Sequence, residues 1–287
     1  MRRISISVAL IILMFTTNMS GTQASLEDEI ESGAILDIVV INLSCVEDNT
    51  TCSAWRPANF VEYFTSDNCE PCGPVEQQLA NRDLDTTFIM SHHPSDSNDF
   101  WLNASKIRFQ ETYFLWGYPS LIIDGQGLLA GKTQAQELDS AISNSTMNYS
   151  GIDQARFENG TLSINYNVVG VNIDVWTVKS YSYQGHDYTN LAINHSRISI
   201  NNSSVDTNGD HLVIVMSEPG QLPLEMVSSI PPTGYLPDGG IGKAETLSQI
   251  DTSTIVIITA LLAILILPAT VELVRLIRQK PPDFEQE

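Results

Sequence analysis

Cys69 and Cys72 are separated by two residues and lie between a short apolar segment and a segment typical of a helix. Residues 60–65 (FVEYFT) are typical of a buried strand, and residues 73–80 (GPVEQQLA) are typical of a helix. At a helix start the unpaired backbone N–H groups and the helix dipole favour negative charge, so a cysteine there forms a thiolate more readily. Because the thiolate is the form that attacks disulfides, this arrangement predicts a redox-active pair.

Within this pair, Cys69 is expected to be the nucleophile and Cys72 the resolving thiol. Cys69 stands first, at the helix N-terminus, whereas Cys72 lies one turn further in. The alternative is a permanent structural disulfide in a domain that has no turnover. The direction of the reaction, whether oxidation, reduction or isomerisation of clients, stays open because it depends on reduction potentials.

A second segment, YPS at residues 118–120, precedes an apolar run and an Asp-Gly turn. Together with the C-x-x-C, this order of elements resembles the thioredoxin superfamily over residues 35–143. In that family a cis-proline opens a strand and faces the cysteine pair. The resemblance therefore implies that Pro119 is cis and lies against Cys69, and that Tyr118 and Pro119 bind the substrate backbone.

Three residues are candidates for moving protons to and from the cysteines. The buried carboxylate of the family would fall near Glu62, which is one residue out of register. Residues 87–90 (TFIM) predict a further strand, and His92 and His93 follow at its end, on the side of the fold that carries the C-x-x-C. We interpret Glu62, His92 and His93 as a possible proton relay. For the two histidines the alternative is a pair of solvent-exposed loop residues.

The remaining two cysteines, Cys45 and Cys52, enclose a polar loop of six residues. This spacing is typical of a small structural disulfide. A second redox pair that exchanges with Cys69 and Cys72 is the alternative, but no helix start activates Cys45 or Cys52. Disulfides persist in oxidising compartments, which agrees with an exported protein.

Both ends of the chain carry apolar segments. Residues 1–24 begin with two arginines, continue with a short apolar run and end in small residues, as in a secretory signal peptide. Residues 253–274 approach the ~20 apolar residues of a transmembrane helix. Basic residues follow in the tail at 275–287, which by the positive-inside rule would be cytoplasmic. The sequence thus predicts a single-pass protein of the cell membrane with its N-terminal domains outside the cytoplasm.

Between these ends the sequence changes character after the thioredoxin-like region. Residues 152–218 contain short segments that alternate apolar and polar residues, separated by turns, which predicts a small β-sandwich. Residues 219–252 are rich in proline and glycine and are expected to be a stalk. The predicted fold class is therefore an α/β thioredoxin-like domain, then a small all-β domain and one C-terminal transmembrane helix.

The charge of the chain restricts its partners. It has 14 Lys and Arg against 34 Asp and Glu, a net charge of −20. The negative electrostatic field that this charge produces excludes nucleic acid and anionic lipid headgroups as binding partners of the exported part. Nine N-x-Ser/Thr sequons within residues 25–253 are candidate glycan sites: Asn42, Asn49, Asn103, Asn144, Asn148, Asn159, Asn194, Asn201 and Asn202.

These features predict a membrane-anchored, extracytoplasmic thiol–disulfide oxidoreductase that acts on thiols and disulfides of exported proteins. It would need no cofactor and no metal, and its redox partner is not encoded in the chain. Two alternatives remain. One is a non-enzymatic surface binding module on a thioredoxin-like scaffold. The other is a copper-handling protein, because two thiols and a histidine are also ligands for soft metals.

Overall fold

A computed structural model describes residues 32–48, 50–81, 86–145, 147–198 and 202–237, together with residue 268. The predicted signal peptide, the C-terminal part of the stalk and the cytoplasmic tail lie outside these residues. All the statements below concern the described part of the chain.

Strands dominate the fold. They are β1 Ile35–Asn42, β2 Cys52–Trp55, β3 Asn59–Phe64, β4 Thr87–His92, β5 Gly117–Tyr118, β6 Ser120–Ile123, β7 Gly127–Ala130, β8 Ile152–Glu158, β9 Thr161–Tyr166, β10 Asn172–Tyr183, β11 His186–Ile198, β12 Asn202–Ser204, β13 His211–Ser217, β14 Glu225–Met226 and β15 Leu236–Pro237. The helices are α1 Ser44–Glu47, α2 Cys72–Ala80, α3 Asn103–Ile107, α4 Gly131–Ala135 and α5 Leu138–Asn144, with a π-helical turn at Arg108–Thr112.

Thirteen of these strands form one mixed sheet in the order β12-β9-β8-β2-β1-β13-β10-β11-β4-β3-β6-β7-β14. The remaining two, β5 and β15, pair with each other. The centre of the large sheet is made of apolar strands such as β1 and β13, whose side chains are buried on both faces. Each fully buried Val, Leu or Ile stabilises the fold by about 1.5–3 kcal/mol, which is why this centre is continuous.

The predicted fold class is wrong. The strands expected to form a separate β domain do not stand apart, since β13 pairs with β1 on one side and with β10 on the other. One bridge between β11 and β4 then continues the same sheet towards the cysteine pair. The molecule is a largely β protein built on a single mixed sheet, not an α/β thioredoxin-like domain followed by a β-sandwich. Periodicity identified most of the strands but contains no information on which strand lies beside which.

The predicted membrane location is also corrected. None of the helices in the described part of the chain is long and apolar enough to cross a membrane. The segment predicted to span it, residues 253–274, lies outside that part apart from Pro268.

Four strands position the cysteine pair. In the order β4-β3-β6-β7, strand β3 runs parallel to β4 and antiparallel to β6, and β6 and β7 form a hairpin. The chain leaves β3 at Phe64 and enters α2 at Cys72. The long hairpin of β10 and β11 turns at Gln184 and Gly185, both in the left-handed region, as a two-residue hairpin turn requires. Its tip reaches α2.

Candidate functional site

The two disulfides join the cysteines as the spacing predicts: Cys45 with Cys52, and Cys69 with Cys72. The structural disulfide at Cys45–Cys52 is thus confirmed as a bond. Pro71 is the N-cap of α2, so Cys72 is its first residue and Cys69 lies in the turn before it. Both Cys69 and Cys72 are buried, with 2% and 0% of their surface exposed.

A buried carboxylate lies on the same helix face as Cys72. Glu76 follows Cys72 by four residues, the spacing that places two side chains next to each other on a helix. It is 3% exposed and accepts a hydrogen bond of 2.9 Å from the Thr65 hydroxyl. The Tyr63 hydroxyl lies 3.5 Å from Glu76 Oε1 and 3.3 Å from the carbonyl oxygen of Cys72. The carboxyl group is therefore held close to the first turn of α2.

His186 connects this carboxyl group to solvent. Its Nδ1 lies 2.6 Å from Glu76 Oε2, and 29% of its side chain is exposed. The ring stacks parallel to Tyr188, with centroids 5.8 Å apart. The tip of the β10–β11 hairpin carries His186. A residue 110 positions after Glu76 in sequence therefore contacts the carboxyl group of Glu76.

Tyr63 stays a neutral hydroxyl at this site. Burial, reinforced by the negative charge of Glu76, raises the pKa of Tyr63 well above its ordinary value. It can donate one hydrogen bond but does not release its proton near neutral pH.

A second carboxylate–histidine contact involves Asp67 and His93. Asp67, two residues before Cys69, has its Oδ1 3.2 Å from His93 Nδ1 and accepts a hydrogen bond of 3.1 Å from the Tyr188 hydroxyl. Burial alone would raise the pKa of Asp67, but His93 and the backbone N–H of Asp99 outweigh it, and the pKa is lowered. This contact fixes the loop that leads into Cys69.

Two of the predicted relay residues belong to a different cluster. Glu62 is fully buried and binds the guanidinium of Arg108 and the hydroxyl of Tyr113, and His92 Nε2 lies 3.2 Å away. Burial would raise the pKa of Glu62, but Arg108 and His92 outweigh it and lower the pKa to about 2. Burial in turn lowers the pKa of His92. A carboxylate paired with an arginine in this way exchanges no proton near pH 7. The structure therefore indicates that this cluster stabilises the fold and does not relay protons.

The histidines are not exposed loop residues, which was the alternative interpretation. His92 and His93 are both 0% exposed. His92 stacks on Phe64, with ring centroids 4.7 Å apart, and accepts a hydrogen bond from Ser105 or donates one to it at 2.9 Å. His93 packs its ring edge-on against Tyr188 at 4.6 Å. The structure therefore separates the three predicted relay residues: Glu62 and His92 lie together, and His93 lies beside Asp67.

The peptide bond between Tyr118 and Pro119 is cis, as the sequence predicts. Tyr118 is buried and belongs to the same apolar cluster as the two cysteines. Its backbone is occupied by the chain itself, because β5 pairs antiparallel with β15, with Tyr118 opposite Leu236. The carbonyl oxygen of Pro119 accepts a hydrogen bond of 2.8 Å from the backbone N–H of Gly131. The backbone of Tyr118 and Pro119, which the resemblance predicts to bind the substrate, is therefore hydrogen-bonded to other parts of the same chain.

Sequence reasoning missed Glu76 and His186. The i, i+4 spacing of Cys72 and Glu76 on a predicted helix was a usable signal for the first. No local pattern could identify His186, since only the pairing of β10 with β11 and the packing of their tip against α2 bring it to Glu76.

The described residues contain no group of three or more His, Cys, Asp or Glu side chains that could hold a metal ion. Copper prefers thiolate ligands. In this structure both cysteine pairs are disulfides.

No protein-family model matches the chain, and no curated protein matches it. Among solved structures, a protein from Agrobacterium tumefaciens, whose crystal structure was determined as a structural-genomics target, is similar. The two are 13% identical, and the alignment covers 57% of this chain and 78% of the other, with a TM-score of 0.38. A likeness at this level carries no argument about fold or function.

Proposed function

We propose that the protein catalyses thiol–disulfide exchange through Cys69 and Cys72, with exported proteins as clients. The observation that carries the proposal is the buried Glu76, one helical turn after Cys72 and in contact with His186. A permanent crosslink uses no acid–base group. Exchange is helped by one, because Cys72 takes up a proton when it leaves and gives one up when it attacks.

In the oxidising direction, a client thiolate attacks Cys69 Sγ. The client–Cys69 disulfide forms, the Cys69–Cys72 bond breaks, and Cys72 leaves with the electron pair and takes up a proton. A second client thiolate then attacks the client sulfur of the mixed disulfide and displaces Cys69. The client has lost two electrons and the protein holds them as two thiols. The reducing direction is the reverse.

Glu76 and His186 move the proton of Cys72 in this scheme. The carboxyl group of Glu76 supplies the proton as Cys72 leaves and accepts it when the Cys72 thiol attacks. His186 exchanges that proton with solvent through its contact of 2.6 Å with Glu76 Oε2. Because Glu76 is nearly fully buried, its proton would otherwise have no direct way to water.

The clients are inferred from chemistry and charge. Two disulfides in one chain fit an oxidising compartment, where exported proteins form their own disulfides. The net charge of −20 disfavours acidic clients and nucleic acid. No resident metal or organic cofactor takes part in the scheme, since the electrons are carried by the two sulfurs.

Trapping of mixed disulfides tests this function. Cys72→Ser is expected to leave a Cys69 that accumulates stable mixed disulfides with a reduced, unfolded client. Cys69→Ser is the control and should trap far less, although it removes the same disulfide. Equal trapping by both variants, or trapping by Cys69→Ser alone, contradicts the assignment of Cys69 as nucleophile.

Burial of both cysteines favours a second candidate, a permanent structural disulfide in a binding module. The two functions differ in an observable way. A structural disulfide predicts no exchange by the wild-type protein with a scrambled or reduced client, and loss of stability on reduction. Turnover of such a client by the wild-type protein and not by Cys69→Ser excludes it.

A further inference from the structure

We propose that residues 230–237, which we call the strap, are a built-in occupant of a peptide-binding edge, and that an extended client segment must displace them to reach the disulfide. The edge consists of β5 and the start of α4. This inference rests on the proposed function for the identity of the client. The presence of the strap over the site does not depend on that function.

The strap is fastened to the start of α4 by hydrogen bonds. The backbone N–H of Lys132 donates to the carbonyl oxygen of Gly234 at 3.1 Å. The backbone N–H of Thr233 donates to the hydroxyl of Thr133 at 2.8 Å, and the two threonine hydroxyls are also 2.8 Å apart. Residues 233 and 234 therefore run along residues 132 and 133 as a second chain segment would.

From there the strap crosses to β5. Leu236 pairs with Tyr118, and Pro237 with Gly117, in antiparallel register. A Cβ atom at Gly117 would lie 2.5 Å from the carbonyl oxygen of Leu236, so the approach of the two backbones requires glycine at this position. The ring of Tyr235 packs against Trp116 at 4.3 Å, and its hydroxyl lies 3.1 Å from the Ser120 hydroxyl.

The strap also reaches Pro71, which lies between the two cysteines in sequence. Gly234 adopts a left-handed conformation with φ of +59°, and a Cβ atom there would lie 3.5 Å from Cβ of Pro71. Pro71 is one of the two residues between Cys69 and Cys72. A segment that touches Pro71 and pairs with β5 lies across the approach to a disulfide whose two cysteines are 2% and 0% exposed. A client thiolate therefore meets the strap before it meets the sulfur.

The fastening is of a kind that another polypeptide can replace. Part of it consists of backbone hydrogen bonds, between Lys132 and Gly234 and in the pairing of β15 with β5, which every extended peptide can offer to a strand edge. Its outer side chains remain partly in water: Leu236 is 40% exposed and Ile230 42%. The neighbouring Trp116 is 60% exposed and offers an apolar face to an incoming client. The ligand class of this edge is accordingly an extended, unfolded segment with apolar side chains.

The test measures the rate at which dithiothreitol reduces Cys69–Cys72 in the full chain, followed by alkylation and mass spectrometry. Thr133→Val removes the hydroxyl contacts of the strap, and Tyr235→Ala removes its aromatic contact. Each is expected to raise the reduction rate about five- to tenfold, as expected for a lost hydrogen-bonded or packed contact. The Cys45–Cys52 disulfide in the same molecule is the internal reference and should keep its rate. Thr161→Val, at an exposed threonine of β9, is the matched control.

A synthetic peptide with the sequence of residues 228–237 supplies the second measurement. Added to Tyr235→Ala, it should bind the vacated edge and return the reduction rate towards that of the wild type. If the rate at which Cys69–Cys72 is reduced is unchanged in both variants, the proposal about the strap is wrong, whatever the activity towards clients. If the reduction rates are raised but the protein exchanges no disulfides with clients, the proposal about the strap is supported and the proposed function is refuted. The two failures are therefore distinguishable.

Discussion

The molecule contains two disulfides that close short loops in very different surroundings. Cys45–Cys52 joins α1 to β2, and Cys52 lies opposite Phe157 of β8 in the sheet. Its cysteines pack with apolar side chains of that half of the molecule. Cys69–Cys72 instead lies at the start of a helix, one turn before the buried Glu76, which contacts His186. Under the proposed function, the first disulfide serves stability and the second serves exchange.

The largest effect is expected from removing the exchange cysteine. Cys69→Ser should reduce turnover of a disulfide client to the uncatalysed background, because Cys69 is the sulfur that forms the mixed disulfide with the client in the proposed scheme. Insulin reduction in the presence of an external reductant measures this. Retained turnover in Cys69→Ser, together with its loss in Cys45→Ser/Cys52→Ser, would reverse the comparison between the two disulfides.

The cluster of Glu62 and Arg108 should affect stability and leave the exchange chemistry alone. The pKa of Glu62 is lowered from 4.5 to about 2, so its contribution to stability is fully present above pH 4.5 and is lost as the pH falls through the folded value. A shift of this size corresponds to about 3 kcal/mol. Urea unfolding between pH 2 and pH 7 measures it.

Glu62→Gln is the variant that identifies the source of this pH dependence. It should flatten the acid part of the stability profile and lower the stability at pH 7, since the buried Arg108 loses its partner. An unchanged profile would show that other carboxylates cause the acid sensitivity.

Glu76→Gln should affect exchange instead. General acid–base groups contribute about a hundredfold or more to rates, so the turnover should fall by about a hundredfold and its pH dependence should weaken. Glu76→Asp, which keeps the carboxyl group, should recover part of the rate. Glu158→Gln, at an exposed residue of β8, is the control. A loss that is equal for Gln and Asp and has an unchanged pH profile would indicate a packing defect.

The smallest effect on the chemistry is expected at the first disulfide. Replacing both Cys45 and Cys52 by Ser opens a loop of seven-residue separation, which should destabilise the protein by about 2.5 kcal/mol. Client turnover at 25 °C should be retained. Thermal unfolding and the insulin assay together measure the two outcomes. Loss of turnover at unchanged stability would identify Cys45 and Cys52 as a second redox pair.

Prediction from sequence succeeded where the signal was local. The apolar run at residues 35–43 is β1, the segment after Cys72 is a helix, and the Asp-Gly turn joins β6 to β7. Apolar residues at helical spacing over residues 101–114 predict one helix, but the structure divides this segment into α3 and a π-helical turn. That turn contains Arg108, whose ion pair with Glu62 is a tertiary contact across 46 residues that helix periodicity cannot reveal.

The sequence by itself determined the two disulfides, the order of the strands and helices around them, and the position of the cysteine pair at the start of a helix. These depend on spacing and on apolar pattern over a few residues. The tertiary structure decided that β13 lies between β1 and β10, which makes one sheet of two expected domains. It also decided that His186 meets Glu76 and that the strap meets β5. The physical reason is that a strand edge or a buried carboxylate can form hydrogen bonds with any partner of suitable geometry. The packing of the whole chain determines which partner is brought into contact with it.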